Sequence, residues 1–320
     1  MHYRLLSPIL ILCLLIALVS ITGCQSSRVD QSAQLAELPP VMIFDGANSE
    51  PVNWDQLFTA MDAADIIVIG ESHTDPRAHE VQTEVLKLAV VRWRDMTLSV
   101  EEFDRTQQDA LDAFAAGEMT VAELKAERQF VNIKVKENWD DWFLPKLEVA
   151  RDGDIPILAS NAPLQYSRIV RNRGCDNLPD LEPEELELFE CPSLPVDPEY
   201  RERFAKSFRQ ATRGRKDTGL KQLGDEQIDK LMRAHRVWDA TMADSVVNAR
   251  RDGADKVLHI VGEFHTKYNG GLIQEMQARD PEAKILVIAM VVKSNPALTR
   301  KDAGRGDYVI YTRSKPLQAG

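Results

Sequence analysis

Cysteine is scarce in this chain, four among 320 residues. No second pair and no nearby histidine completes a zinc-type spacing around any of them. No P-loop, no dinucleotide-binding glycine pattern and no Gly-x-Ser-x-Gly nucleophile elbow occurs, which removes kinase, dehydrogenase and serine-hydrolase chemistry. An excess of basic charge is also missing. With 39 Lys and Arg against 50 Asp and Glu the formal charge is −11, so nucleic acid is excluded as the main partner and an anionic membrane surface is disfavoured.

What is there suffices for a globular core: 44% of residues are hydrophobic and 28% charged, composition for one large domain or two small ones. The first two dozen residues read as a targeting signal. Arg4 supplies a positive start, and the apolar run from Pro8 to Val19 is too short for a stable spanning helix. Ile21-Thr22-Gly23-Cys24 then resembles the bacterial lipobox. That resemblance implies a lipoprotein signal peptide over residues 1–23 and lipidation of Cys24. Gln25, in place of an acidic residue, implies an outer-membrane, periplasm-facing location. Residues 24–40, rich in Ser, Gln and Ala, suit a flexible tether. Once Cys13 leaves with the signal and Cys24 takes lipid, Cys175 and Cys191 remain. An even pair in an oxidising compartment reads as a disulfide, with two unpaired buried thiols as the alternative.

From residue 41 onward, β-branched apolar runs alternate with helical patterns. Strands are expected at 65–69, 97–100, 155–159, 256–261 and 284–290, several apolar on consecutive positions as strands covered on both faces should be. Asp104 can cap a helix over 105–116 that Gly117 stops, and Thr120 with Glu123 has capping-box spacing. Long helical periodicity runs from 198 to 251, interrupted near 214–224. The expectation is an α/β fold, a mainly parallel sheet flanked by helices, with a helical subdomain from insertions at about 104–150 and 176–250.

One pentapeptide occurs twice at strand ends: Ile66-Ile-Val-Ile-Gly-Glu-Ser-His-Thr74 and Leu258-His-Ile-Val-Gly-Glu-Phe-His-Thr266. In an open parallel sheet, ligands gather beyond the carboxyl ends of the strands. Gly70 and Gly262 would let the chain turn sharply there, and Glu71, His73, Glu263 and His265 would converge. Glu101 ends a third strand and Asn161 follows a fourth, facing the same crevice. Such a set can hold a divalent metal or position water for acid/base attack. The plainer alternative is that these side chains cap helices and satisfy loop amides. Trp139, Trp142, Trp238 and His259 read as core residues. Asp239 reads as capping or bonding within its helix cluster, His235 as packing or lining a helical lid, and His79 as a further candidate one turn or more from His73.

The segment Gly70-Glu-Ser-His-Thr-Asp-Pro-Arg-Ala-His79 with Gln82, then Val100-Glu-Glu-Phe-Asp-Arg-Thr-Gln107, resembles the haem-binding uptake family called ChaN, in the superfamily that also holds Tiki proteins and erythromycin esterases. Trp139-Asp-Asp-Trp142, Ala159-Ser-Asn-Ala-Pro163, Trp238-Asp-Ala-Thr-Met-Ala243 and Gly262-Glu-Phe-His-Thr-Lys-Tyr-Asn-Gly-Gly271 extend it over about residues 60–312. The chain departs from the pattern at Thr74 before Asp75, at Ala78, at Leu164 and at Leu272-Ile273. The resemblance implies a haem-binding lipoprotein in iron acquisition, served by an outer-membrane receptor or transporter. Haem needs an axial ligand, an apolar slot and cations for its propionates. Tyr166 and Tyr268 are the candidate ligands, His73, His265 and Asn161 further contacts, and Arg168 and Arg171 the propionate partners. An open-edge pocket suggests a homodimer around haem. Two other readings stand beside it. One is a metal-dependent hydrolase, in which Glu71, His73, Glu263 and His265 bind metal and Glu101 joins them in catalysis. The other is a vestigial crevice on an interaction partner.

Overall fold

The computed structural model describes residues 34–127, 133–212 and 224–313. The signal peptide, Cys24 and most of the expected tether lie outside the described residues, and residues 34–36 form a helical turn. The described residues from Pro40 onward constitute one compact unit that holds the whole sheet.

Five of the eight strands are those the apolar runs predict: β3 (Ile66–Glu71), β4 (Met96–Asp104), β5 (Ile157–Asn161), β6 (Lys256–Gly262) and β7 (Ile285–Val291). The other three, β1 (Met42–Asp45), β2 (Pro51–Val52) and β8 (Tyr308–Tyr311), are too short to show a period. The sheet order is β2-β1-β8-β7-β3-β6-β4-β5. Every pair from β8 to β5 is parallel, and β1 runs antiparallel to both β8 and β2. β3 and β6 are buried at every position, as central parallel strands covered on both faces must be.

Eight longer helices flank the sheet: α1 (Trp54–Ala63), α2 (Pro76–Arg92), α3 (Gln108–Ala115), α4 (Leu144–Asp152), α5 (Leu164–Arg173), α6 (Pro198–Thr212), α7 (Asp225–Arg251) and α8 (Gly271–Arg279). Asp104 caps the turn that opens α3, its Oδ1 accepting from the Thr106 amide at 3.0 Å. Gly117 ends that stretch at φ +73°. Thr120 and Glu123 form the expected reciprocal pair. The long α7 lies on the sheet: Met242, Ala243, Val246 and Val247 pack with Ile66 and Val68 of β3, Val257 and Val261 of β6, and Leu272 and Met276 of α8. Side chains four apart share one helix face, which is why these positions reach the sheet together. Cys175 and Cys191 are joined in a disulfide.

Candidate functional site

β3 and β6 are parallel neighbours with Glu71 opposite Gly262, so the two copies of the repeated motif leave the sheet side by side. The glycines serve a different purpose from the one expected of them. Neither Gly70 nor Gly262 has a positive φ; each is needed for space. A Cβ on Gly262 would fall 2.7 Å from His73 Nε2, and one on Gly70 would fall 2.3 Å from Thr266 Oγ1. Each motif's glycine therefore makes room for the other motif's turn. β4 adds Glu101 from the other side of β6. Its register against β5 shifts between Val100 and Asp104, and a bulge of that kind re-aims the side chains it contains. Asn161 fixes the bulge, its Nδ2 donating to the Glu101 carbonyl at 3.0 Å.

Acid and imidazole alternate through the site. Glu71 Oε1 lies 2.8 Å from His73 Nδ1, and His73 Nε2 lies 3.9 Å from Glu101 Oε2. Glu101 Oε1 lies 3.2 Å from His265 Nε2. His265 Nδ1 lies 2.6 Å from Asp239 Oδ1, and the Tyr200 hydroxyl donates to Asp239 Oδ2 at 2.8 Å. The Gly262 amide donates to Glu101 Oε2 at 2.6 Å. Glu71, Asp239 and His265 are buried, whereas the His73 side chain is 41% exposed and faces solvent.

Burial alone would lower the pKa of His73, but the carboxylates of Glu71 and Glu101 outweigh it and push it up to about 10. The exposure of the ring lets water weaken that pull. Burial is likewise overcome at His265, where Glu101 and Asp239 raise the value to about 9. Glu101, which burial would raise, is held well below the carboxylate range by His265 and His73.

Around this chain lie groups of the opposite character. His79, buried on α2, donates from Nε2 to the His73 carbonyl at 3.2 Å and stacks on Trp142. Lys146 of α4 is 1% exposed and places Nζ 3.1 Å from His79 Nδ1, donating also to Gln82 Oε1 and the Trp142 carbonyl. Burial and then Lys146 lower His79 to about 4, and burial lowers Lys146 to about 8. His259 is a core residue bonded to Ser99. Among the described residues two donor groups are compact enough to share a cation: Glu71, His73 and Glu102, and the buried His235, Asp239 and His265.

The expected convergence is thus realised for Glu71, His73, Glu101 and His265, with Asn161 behind them. It does not include Glu263, whose carboxylate pairs with Arg305 at 2.9 Å and Lys267 at 3.4 Å. Asp75 caps α2 and accepts from Thr312 Oγ1 at 2.6 Å, away from the histidines. Asp239 bonds to Tyr200 of α6 and to His265, because α7 turns that face toward α6 and the turn after β6. Tyr166 is 2% exposed and stacked on Phe189, its hydroxyl donating to Glu185. Arg168, two residues along α5, is exposed. Positions two apart point to different faces of a helix, so that tyrosine and that arginine cannot meet one ligand. Arg171 is half-buried on the same helix.

Tyr268 is placed differently. It is half-buried at φ +56°, and the guanidinium groups of Arg203 and Arg305 each lie 5.7 Å from its ring centre. Arg203 also donates to the Tyr268 carbonyl at 3.0 Å. Phe208 of α6 and Phe264 meet edge to face, and Lys267 stands over the Phe264 ring at 4.5 Å. Sequence reasoning did not find Tyr200, Lys146, Arg203 or Arg305, which lie on segments without a strand-end motif. The only local signal was the helical spacing of His235 and Asp239 on α7.

A family profile described as haem-binding uptake, Tiki superfamily, ChaN matches residues 57–276. No curated protein sequence matches the chain. Among solved structures, that of ChaN of Campylobacter jejuni with cofacial haem binding is 18% identical, covering 85% of this chain and 96% of that one with a TM-score of 0.64. An erythromycin esterase variant, EreC in its open conformation, is 11% identical over 88% of this chain and 84% of that one, TM-score 0.44. The type III effector HopBA1 is 14% identical over 87% of this chain and 97% of that one, TM-score 0.38. No helix among the described residues is long and apolar enough to cross a membrane.

Proposed function

The chain belongs to the haem-binding uptake family ChaN of the Tiki superfamily, and from that premise we propose that it binds haem as cargo at the carboxyl edge of β6, with Tyr268 as the iron ligand. The observation that carries this reading is the setting of Tyr268. Its ring is half-buried, with the guanidinium groups of Arg203 and Arg305 each 5.7 Å from its centre, and the aromatic pair Phe208 and Phe264 is contributed by α6, which also carries Arg203, and by the turn after β6. A phenol, an apolar surface and guanidinium groups are the three things haem needs from a protein. Tyrosinate is a ligand suited to ferric iron. Tyr166, packed in an apolar cluster, offers no such access.

The test is a haemin titration of the chain from Gln25 onward, followed by absorbance. A saturable Soret shift that Tyr268→Phe abolishes and Tyr166→Phe leaves intact supports the reading. No saturable shift sinks haem binding, and a shift unchanged in Tyr268→Phe sinks the assignment of the ligand.

We place the protein, lipidated at Cys24, on the periplasmic face of the outer membrane, where it serves iron acquisition with an outer-membrane receptor or transporter. Support comes from the lipobox-like Ile21-Thr22-Gly23-Cys24. Incorporation of labelled fatty acid that persists in Cys24→Ser would refute the anchor. A porphyrin held at an open edge leaves one face bare, which a second chain would cover. The cofacial haem named for the Campylobacter jejuni structure supports this pairing, and a protein that stays monomeric with saturating haemin would contradict it.

A second reading, a hydrolase, is favoured by one feature: the half-exposed His73 lies between the carboxylates of Glu71 and Glu101, with a divalent metal on Glu71 and His73 as the expected aid. Turnover of an ester or amide that Glu101→Gln abolishes would support it. No turnover across such substrates, with metal supplied, would eliminate it.

A further inference from the structure

We infer that His235, Asp239 and His265 form a buried binding site for one first-row divalent cation, zinc being the best match, behind the proposed haem surface, where the His235 ring meets that of Phe264 at 5.5 Å, and independent of the haem reading. A nitrogen of each histidine and a carboxylate oxygen of Asp239 lie within 4.8 Å of one another, and all three residues are buried. His235 and Asp239 are four apart on α7, so one helix face presents both. His265 comes from the turn after β6.

The surrounding hydrogen bonds are those that a cation site needs. His265 holds Nδ1 toward Asp239 while its Nε2 lies 3.2 Å from Glu101 Oε1. A ligating histidine whose second nitrogen is fixed by a carboxylate is the usual arrangement around zinc. The second oxygen of Asp239 is likewise fixed, by the Tyr200 hydroxyl. Gly271 provides the clearance, since a Cβ there would fall 2.3 Å from Asp239 Oδ2.

An independent observation is the state of His235. It is 6% exposed, its ring lies 4.1 Å from that of His265, and its buried Nε2 has no hydrogen-bond partner among the described residues. A buried polar nitrogen left without a partner is costly, and a cation would satisfy it. On binding, the proton shared by His265 Nδ1 and Asp239 Oδ1 leaves to solvent, and those atoms, 2.6 Å apart, open to the ~3.3 Å between two ligands of a tetrahedral zinc. Two neutral imidazoles and one carboxylate remain as ligands, a set suited to zinc or cobalt and too rich in nitrogen for calcium or magnesium. The bound ion would tie α7 to the turn after β6.

The purified full chain, freed of metal by chelator, is titrated with Zn²⁺ and with Co²⁺. The expected result is one equivalent per chain, with the visible absorption of a low-coordinate cobalt site. Tyr200→Phe weakens binding about tenfold, and His235→Gln weakens it further. His235→Cys adds a thiolate-to-cobalt charge-transfer band in the near ultraviolet, a gain that misfolding cannot produce. His73→Gln leaves the cobalt spectrum in place. Absence of bound cation on folded wild-type chain overturns the inference, as does binding unchanged in His235→Gln or lost in His73→Gln. Haemin titration of the same samples reports separately on the haem reading.

Discussion

The Nε2 of His265 lies 3.2 Å from Oε1 of Glu101, and the other oxygen of that carboxylate faces His73 at 3.9 Å. One side chain from β4 thereby joins the two copies of the repeated motif. The charge on Glu101 adds to that of Glu71, the nearer and stronger partner, in sustaining the imidazolium of His73, while the shape of the Glu101 side chain matters less, because an amide oxygen can still accept from Gly262.

Glu101→Gln keeps the size of the side chain and removes its charge. The His73 pKa, about 10 in the native chain, is expected to fall toward its ordinary value, and stability to drop by about 1–3 kcal/mol. Titration of the imidazole resonances by NMR checks this. A His73 value that does not move would show that Glu71 alone sets it.

Gly262→Ala tests whether the motif glycine provides space or backbone freedom. With φ −60° at that position an alanine is conformationally tolerated, so the expected loss of about 1–3 kcal/mol is a packing clash with the His73 ring. In a His73→Ala background the loss should largely vanish. An equal loss in both backgrounds, measured by urea unfolding, would refute the clash.

Acid should destabilise the chain through its buried neutral histidines. Burial and Lys146 hold the folded His79 pKa at about 4, below the unfolded value of 6.5. Between those values the unfolded state binds more protons, so stability rises with pH across the window and is lost on acidification from 6.5 toward 4. Burial lowers His259 to about 4 as well, so it acts in the same direction. Unfolding free energies measured from pH 7 to 4 should show a shallower slope in His79→Gln. A slope identical to wild type would exclude His79 as a contributor.

Removing the disulfide by Cys175→Ser with Cys191→Ser should cost roughly 3 kcal/mol, since the bond closes a loop spanning a sequence separation of 16. The comparison is between denaturant midpoints of the oxidised wild type and the double variant. Equal midpoints would mean that the packing of Phe189 and its neighbours already restrains this loop.

Much of the architecture was legible in the chain itself. Consecutive Ile and Val residues at 66–69, and the apolar pairs Val257-Leu258 and Ile260-Val261 on either side of His259, mark strands covered on both faces, because apolar residues on adjacent positions leave no side to give to water. The duplicated Gly-Glu-x-His-Thr marked the edge where those strands end, and Glu71, His73, Glu101 and His265 do meet there. The short outer strands β1, β2 and β8 left no trace, because two to four residues cannot display a period.

The two copies of Gly-Glu-x-His-Thr nevertheless acquired different partners. Glu71 pairs with the histidine of its own copy, whereas Glu263 turns to Arg305 and the second histidine takes Asp239 instead. Local sequence determined which residue types stand at each strand end and that the strands lie inside the sheet. Only the tertiary structure decided which acid faces which imidazole. That choice depends on α7 crossing β6, on the bulge in β4 and on the clearance at Gly262 and Gly271. Each is a matter of distances of a few ångströms between segments far apart in the chain, over which short-range Coulomb and hydrogen-bond energies are won or lost.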